Sequence, residues 1–113
     1  SREDVRWAIE NVGLTNFVKQ LPKGMDSIIY PEGKHIPYTV SKKILLARAI
    51  VLRPKLLILK DPLDQFDQDE ERRIIKFLTD PAQPWALVVV SNNSDWESSC
   101  SEILRIENGT LIK

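Results

Sequence analysis

The sequence predicts an α/β fold in which parallel strands are joined by crossover helices and a hairpin closes the chain. Three observations carry this. Two short, nearly continuous apolar runs, residues 55–60 and 85–91, flank a segment whose apolar residues recur at helical spacing, the pattern of a parallel strand–helix–strand unit. A further helical segment, residues 39–52, leads into the first run. Near the end, Asn108-Gly109 lies between two short strand-like stretches, the strongest two-residue hairpin signal.

The elements follow in order. Ser1 caps a first helix, with Glu3 and Asp4 in the turn where the helix dipole favours carboxylates. Val5, Ala8, Ile9 and Val12 give it an apolar face, and Gly13 ends it. A short second helix, residues 15–20, stops before Pro22, because the residue preceding a proline is pushed out of the helical region. Residues 21–38 hold three prolines and the only histidine and read as loop, with an extended piece at Ser27-Ile28-Ile29-Tyr30. In the helix of residues 39–52, capped by Thr39, one face carries Val40, Ile44, Ala47 and Val51, and Arg53-Pro54 ends it.

Residues 55–60, Lys-Leu-Leu-Ile-Leu-Lys, predict a strand covered on both faces. Asp67, with Glu70 three residues on, starts the next helix in the manner of a capping box. Ile74, Ile75, Phe77 and Leu78 face its core side, and Asp80-Pro81 closes it. Residues 85–91 predict a second strand of the same buried type. Residues 92–101 are polar, with a helical turn around Trp96.

Composition bounds the function. At 113 residues the chain is one domain's worth, and 42% apolar with 28% charged residues is the balance of a folded protein, not a disordered one. Sixteen basic residues balance sixteen acidic ones, so nothing points to nucleic acid. One cysteine, Cys100, excludes an internal disulfide and a cysteine zinc site. The longest apolar run, residues 86–90, is far short of a membrane span, and the charged start predicts no secretory signal. His35, Arg72 and Arg73 read as surface residues. Trp7, Trp85 and Trp96 read as packing residues, too scattered for a binding platform.

Residues 45–67 spell Leu-Leu-Ala-Arg-Ala-Ile-Val-Leu-Arg-Pro-Lys-Leu-Leu-Ile-Leu-Lys-Asp-Pro-Leu-Asp-Gln-Phe-Asp. This resembles the nucleotide-binding domain of ATP-binding-cassette (ABC) transporters, in which a helix ending Ala-Arg-Ala leads through a proline into the Walker B strand. Val12-Gly13-Leu14, Phe17-Val18 and residues 21–26 look like the helical subdomain of ABC exporters, and residues 103–113 like the family's last strands. The resemblance implies the C-terminal half of a P-loop NTPase (RecA-like) fold. Residues 1–54 would be helical-subdomain-like, and residues 55–113 the C-terminal part of the RecA-like core. The phosphate-gripping Gly-x-x-x-x-Gly-Lys-Ser/Thr loop and the glutamine loop are absent from these 113 residues. That loop cradles phosphate with backbone N–H groups and a lysine, so ATP and Mg²⁺, the parent family's ligands, are not expected to bind tightly to this chain alone.

The resemblance also places degraded motifs. The signature sequence falls on Ile36-Pro37-Tyr38-Thr39-Val40, where Tyr38 and Thr39 bring side chains to the glycine positions; Thr39 can cap the helix or, like Ser41, offer a hydroxyl. The Walker B aspartate falls on Lys60. A cation there, about 4 Å from a divalent ion at an effective dielectric near 20, would repel it by on the order of 8 kcal/mol. Lys60 can instead supply charge to a phosphate or pair with Asp61 or Asp64. The catalytic glutamate falls on Asp61, one methylene too short to reach a water that must lie within about 3 Å of a general base. The D-loop falls on residues 64–67, with Asp67 read as helix cap or D-loop aspartate. The switch histidine falls on Asn92, which can hydrogen-bond a phosphate but carries no proton.

The implied function is a degenerate, non-hydrolytic nucleotide-binding subunit that couples ATP-driven closure to export. Its partners would be a second nucleotide-binding domain and the transporter's transmembrane domain, at the cytoplasmic face of the membrane. The alternative is a non-enzymatic protein-interaction module on the same scaffold. A missing phosphate-loop strand would also leave a free sheet edge. The hairpin is expected to close against residues 85–91, or two copies to associate there.

Overall fold

The computed structural model describes residues 1–24 and 36–112. His35 and the extended piece expected at residues 27–30 lie outside the described residues. The chain runs through α1 (Arg2–Val12), α2 (Thr15–Lys19), α3 (Tyr38–Ile50), β1 (Leu56–Lys60), α4 (Gln68–Leu78) and β2 (Ala86–Val90). A 3₁₀ helix (Ser94–Ser99) follows, then the hairpin strands β3 (Arg105–Glu107) and β4 (Thr110–Ile112). It is an α/β chain with one parallel strand pair and one antiparallel pair.

The helix ends follow from local chemistry. Ser1 Oγ accepts from the Asp4 N–H at 3.2 Å, and the Asp4 carboxylate accepts from the Ser1 amino group at 3.3 Å, a complete capping box. Gly13, with φ 84°, turns the chain left-handed, so that Leu14 N–H donates to Ile9 O at 2.9 Å and closes α1. Asp67 caps α4, accepting from the Glu70 N–H at 3.0 Å. The Glu70 carboxylate does not complete that box; it turns to Lys43 at 2.5 Å and Arg73 at 3.3 Å. Helix α3 departs from expectation. Its N-cap is Pro37, without a side-chain cap, and Thr39 sits inside the first turn. Pro37, with φ −54° and an extended ψ of 146°, stands just outside the helix, so Tyr38 rather than Thr39 opens it.

β1 and β2 pair in parallel from Leu56 against Ala86 to Lys60 against Val90. One side of this pair is covered: Leu57 is buried, and Leu59, Leu87 and Val89 pack against the core with residues of α1, α3 and α4. The other side is open, with Ile58 64% and Val90 57% exposed. The expectation of strands covered on both faces is therefore corrected. Their composition is that of a parallel sheet between two helical layers, and these residues supply one such layer. The core is a single cluster running from Ala8 and Val12 through Leu46, Ile50 and Leu57 to Ile74, Leu78 and Trp96.

Asn108 and Gly109 take φ of 50° and 76°, the left-handed pair that a two-residue hairpin turn requires. The hairpin is a two-stranded sheet of its own, exposed throughout, and does not add to β2. Its expected closure against residues 85–91 is thus also corrected, and the outer edge of β2 stays free among the described residues. The Cα radius of gyration, 15.5 Å, exceeds the roughly 13 Å of a compact domain of this length, in keeping with a projecting hairpin and a half-covered sheet.

Candidate functional site

Open parallel sheets present ligand sites at the carboxyl ends of their strands. Here that end holds a cavity of about 420 Å³, lined by Asp61, Leu63, Asp64, Ser91, Asn92, Asn93 and Trp96. Asp61 follows β1 directly, and its N–H donates to Val90 O at 2.8 Å, extending the strand pairing by one rung. Asn92 follows β2. The next residue, Asn93, caps the 3₁₀ helix, accepting from the Asp95 N–H at 2.9 Å. The fold thus brings Asp61 and Asn92, 31 positions apart in sequence, to one cavity.

The turn from β1 to α4 is backbone under strain. Asp61 and Gln65 take φ of 43° and 68°, a conformation that costs a non-glycine residue about 1–3 kcal/mol and clusters at functional sites. Helix α3 reaches this turn through Lys43, whose ammonium stands 5.8 Å from the centre of the Phe66 ring, and through two side chains that bond to it. Tyr38 Oη donates to Asp64 Oδ2 at 2.6 Å, and Lys42 Nζ lies 3.1 Å from Asp64 Oδ1. Lys42 also donates to the Asp61 carbonyl at 2.9 Å. The Tyr38 bond, followed by the Lys42 contact, holds the Asp64 carboxyl below its ordinary range. The same bond, with burial and the Asp64 charge, pushes the Tyr38 hydroxyl up.

On the far wall, Asn93 Nδ2 donates to Glu71 Oε2 at 2.5 Å, tying the segment after β2 to α4. Glu71 is a buried acid, 7% exposed. Burial pushes its carboxyl up, the Asn93 bond opposes this, and the neighbouring Asp95 reinforces it.

Lys60 ends β1 at the same end of the sheet, opposite Val90, but alternation turns it to the open side with Leu56 and Ile58. It is not among the cavity's lining residues. The expected pairing of Lys60 with Asp61 or Asp64 is corrected: among the described residues Lys60 forms no ion pair, and Asp64 is held by Lys42 and Tyr38. Asp67 is occupied as the α4 cap and Thr39 lies within α3; neither lines the cavity. Sequence reading missed Lys42, Asn93 and Glu71. Lys42 was open to inference, since it stands four residues after Tyr38 on the same helix face.

No lysine or arginine lines the cavity, whereas two aspartates do. Among the described residues no group of three or more His, Cys, Asp or Glu is placed to hold a metal. Among the described residues Asp61 is the cavity carboxylate without an ion-pair partner, whereas Asp64 is engaged by Lys42. This donor set does not fit a magnesium–nucleotide: the phosphates would meet carboxylates, and the metal would find a single uncommitted one. No described helix is long and apolar enough to cross a membrane.

No family model matches the chain. Over its whole length it is 27% identical to the ATP-dependent lipid A-core flippase of Idiomarina loihiensis, of which it covers 19%. It is 25% identical, again over its whole length, to the glutathione/L-cysteine transport system ATP-binding/permease protein CydC of Haemophilus influenzae, covering 20% of it. Over 97% of its length it is 23% identical to the ABC-type transmembrane transporter verA of Clonostachys rogersoniana, covering 9%. The chain spans a fifth or less of the length of these relatives, and along essentially all of its own length it is similar to one part of a flippase, a transport-system ATP-binding/permease protein and an ABC-type transmembrane transporter.

Proposed function

We propose that this chain is the C-terminal part of an ABC-transporter ATP-binding domain, with a P-loop NTPase (RecA-like) core, whose nucleotide site has lost its hydrolytic groups. The observation that carries the reading is the convergence of Asp61 and Asn92 on one cavity at the strand ends, in a chain whose relatives include a flippase and a transport-system ATP-binding/permease protein. Asp61 stands where the family's catalytic glutamate would, Asn92 where its switch histidine would, and Lys60 where its metal-holding aspartate would. The role is then to transmit nucleotide-driven closure to a transmembrane partner, at the cytoplasmic face of the membrane, while a second nucleotide-binding domain supplies the hydrolysing site. ATP and Mg²⁺ belong to the complete domain pair.

The open sheet side supports the same reading. Leu56, Ile58, Val88 and Val90 are a face suited to a second covering layer, which the upstream half of such a domain would supply. It equally suits the alternative, a protein-interaction module without nucleotide. A second copy pairing along the free edge of β2, expected where the phosphate-loop strand is missing, would appear as a dimer in sedimentation. The reading frame upstream of the Ser1 codon decides between the two. The proposal expects an in-frame phosphate-loop sequence, Gly-x-x-x-x-Gly-Lys-Ser/Thr or its degraded form, preceded by membrane spans. A frame carrying neither would overturn it.

A further inference from the structure

The β1–α4 turn follows a path that its own side chains resist, with left-handed φ at Asp61 and Gln65. Aspartate tolerates this region better than most residues, but Gln65 does not, so contacts from outside the turn help hold it there. Buried Leu63 and core-packed Phe66 hold its middle, and its polar grips come from one face of α3. Tyr38 and Lys42, four residues apart, lie on that face, and the Lys42 ammonium stands 5.7 Å from the centre of the Tyr38 ring. Lys42 grips the turn at its first left-handed residue through the Asp61 carbonyl, at 2.9 Å. Tyr38 and Lys42 together grip it just before the second, through the two oxygens of Asp64 at 2.6 and 3.1 Å.

We propose that Tyr38, Lys42 and Asp64 form a latch that clamps the β1–α4 turn to the start of α3 and fixes Asp61 at the cavity before any ligand arrives. The latch rests on this geometry and holds whether or not the chain belongs to a transporter. It makes the first turn of α3 and the cavity wall one mechanical unit. A partner that displaces Tyr38 loosens Asp64 and leaves Lys42 as the remaining grip on Asp61, and a ligand that draws Asp61 inward pulls on α3. Tyr38 acts here as a positioning residue through its hydroxyl, not through its bulk.

Amide hydrogen exchange on the full chain tests this, comparing the wild type with Tyr38→Phe, Asp64→Asn and the double variant. Tyr38→Phe removes one oxygen from a half-exposed side chain and leaves the core untouched. Loss of a hydrogen bond to a charged group predicts about tenfold faster exchange at residues 61–66 in each single variant, with residues 74–78 of α4 unchanged. The double variant should be no faster than Asp64→Asn, which already loses the charged acceptor of both the Tyr38 and the Lys42 contacts. In a spectrophotometric titration the wild-type Tyr38 hydroxyl should ionise above the ordinary tyrosine range, and Asp64→Asn should return it towards that range. Unchanged exchange at residues 61–66, or equal acceleration there and at residues 74–78, would overturn the latch.

Discussion

Lys60 stands on the open side of the sheet while Asp61, its neighbour, opens into the cavity. One residue's difference at a strand end separates a solvated cation from a placed carboxylate, and alternation along the strand is the cause. The identity of each was plain in the sequence. Their directions were not, because side chains one position apart diverge and only the three-dimensional pairing shows which side is covered. Asp64 illustrates the same point: the sequence offered Lys60 as its partner, whereas the fold supplies Lys42 from a helix 22 positions earlier. Asp4 carries a prediction at this scale. Arg53 Nη1 donates to it at 2.5 Å, and Ser1 adds its hydroxyl and amino group. Together they hold its carboxyl at about 2, against 3.8 unperturbed. A depressed native pKa gives stability that is complete above the unfolded value and drains away as pH falls through the native one. Carboxyl-detected NMR titration should therefore find Asp4 charged down to about pH 2, with its share of stability lost between 3.8 and 2. In Arg53→Ala the midpoint should rise towards 3.8; a midpoint unmoved by that change would contradict the assignment.

Among the elements, helix ends were legible and strand surroundings were not. Ser1, Gly13 and Asp67 mark their helices because capping is a contact across three or four residues, wholly contained in local sequence. Thr39 failed for a related reason. A hydroxyl beside a proline looks like a cap, but the helix begins at Tyr38, whose first turn is anchored to Asp64 across the fold. The two strands were located within a residue at either end, yet their exposure on one side depends on what lies across them, which no local pattern records. The hairpin turn was read from two residues, and its detachment from β2 was not, because edge pairing is a choice between distant partners. Asp67→Ala measures the worth of a legible signal. Losing the bond to the Glu70 N–H should cost about 1 kcal/mol in chemical denaturation, with the α3–Asp64 contacts intact. A loss several times larger would mean that Asp67 does more than cap α4.

For the molecule as a whole, one core joins α1, α3 and α4 to a single side of the parallel pair. Trp7, Phe77 and Trp85 meet edge-on or tilted with ring centres 5.8–6.4 Å apart, and the Trp85 indole N–H donates to Leu78 O at 2.9 Å. The reading of Trp7 and Trp85 as packing residues agrees with this arrangement. What remains uncovered is a face of Leu56, Ile58, Val88 and Val90 and an acidic cavity beside it. Both accord with the proposed reading of the chain as one portion of a larger ATP-binding domain, in which Lys60 would stand at the metal position. Titration of a fluorescent ATP analogue into this chain, with and without Mg²⁺, tests that account most directly. It predicts a signal that does not saturate and does not respond to Mg²⁺. Saturable, Mg²⁺-dependent binding in the range of about 1 μM or tighter, worth roughly 8 kcal/mol, would contradict it.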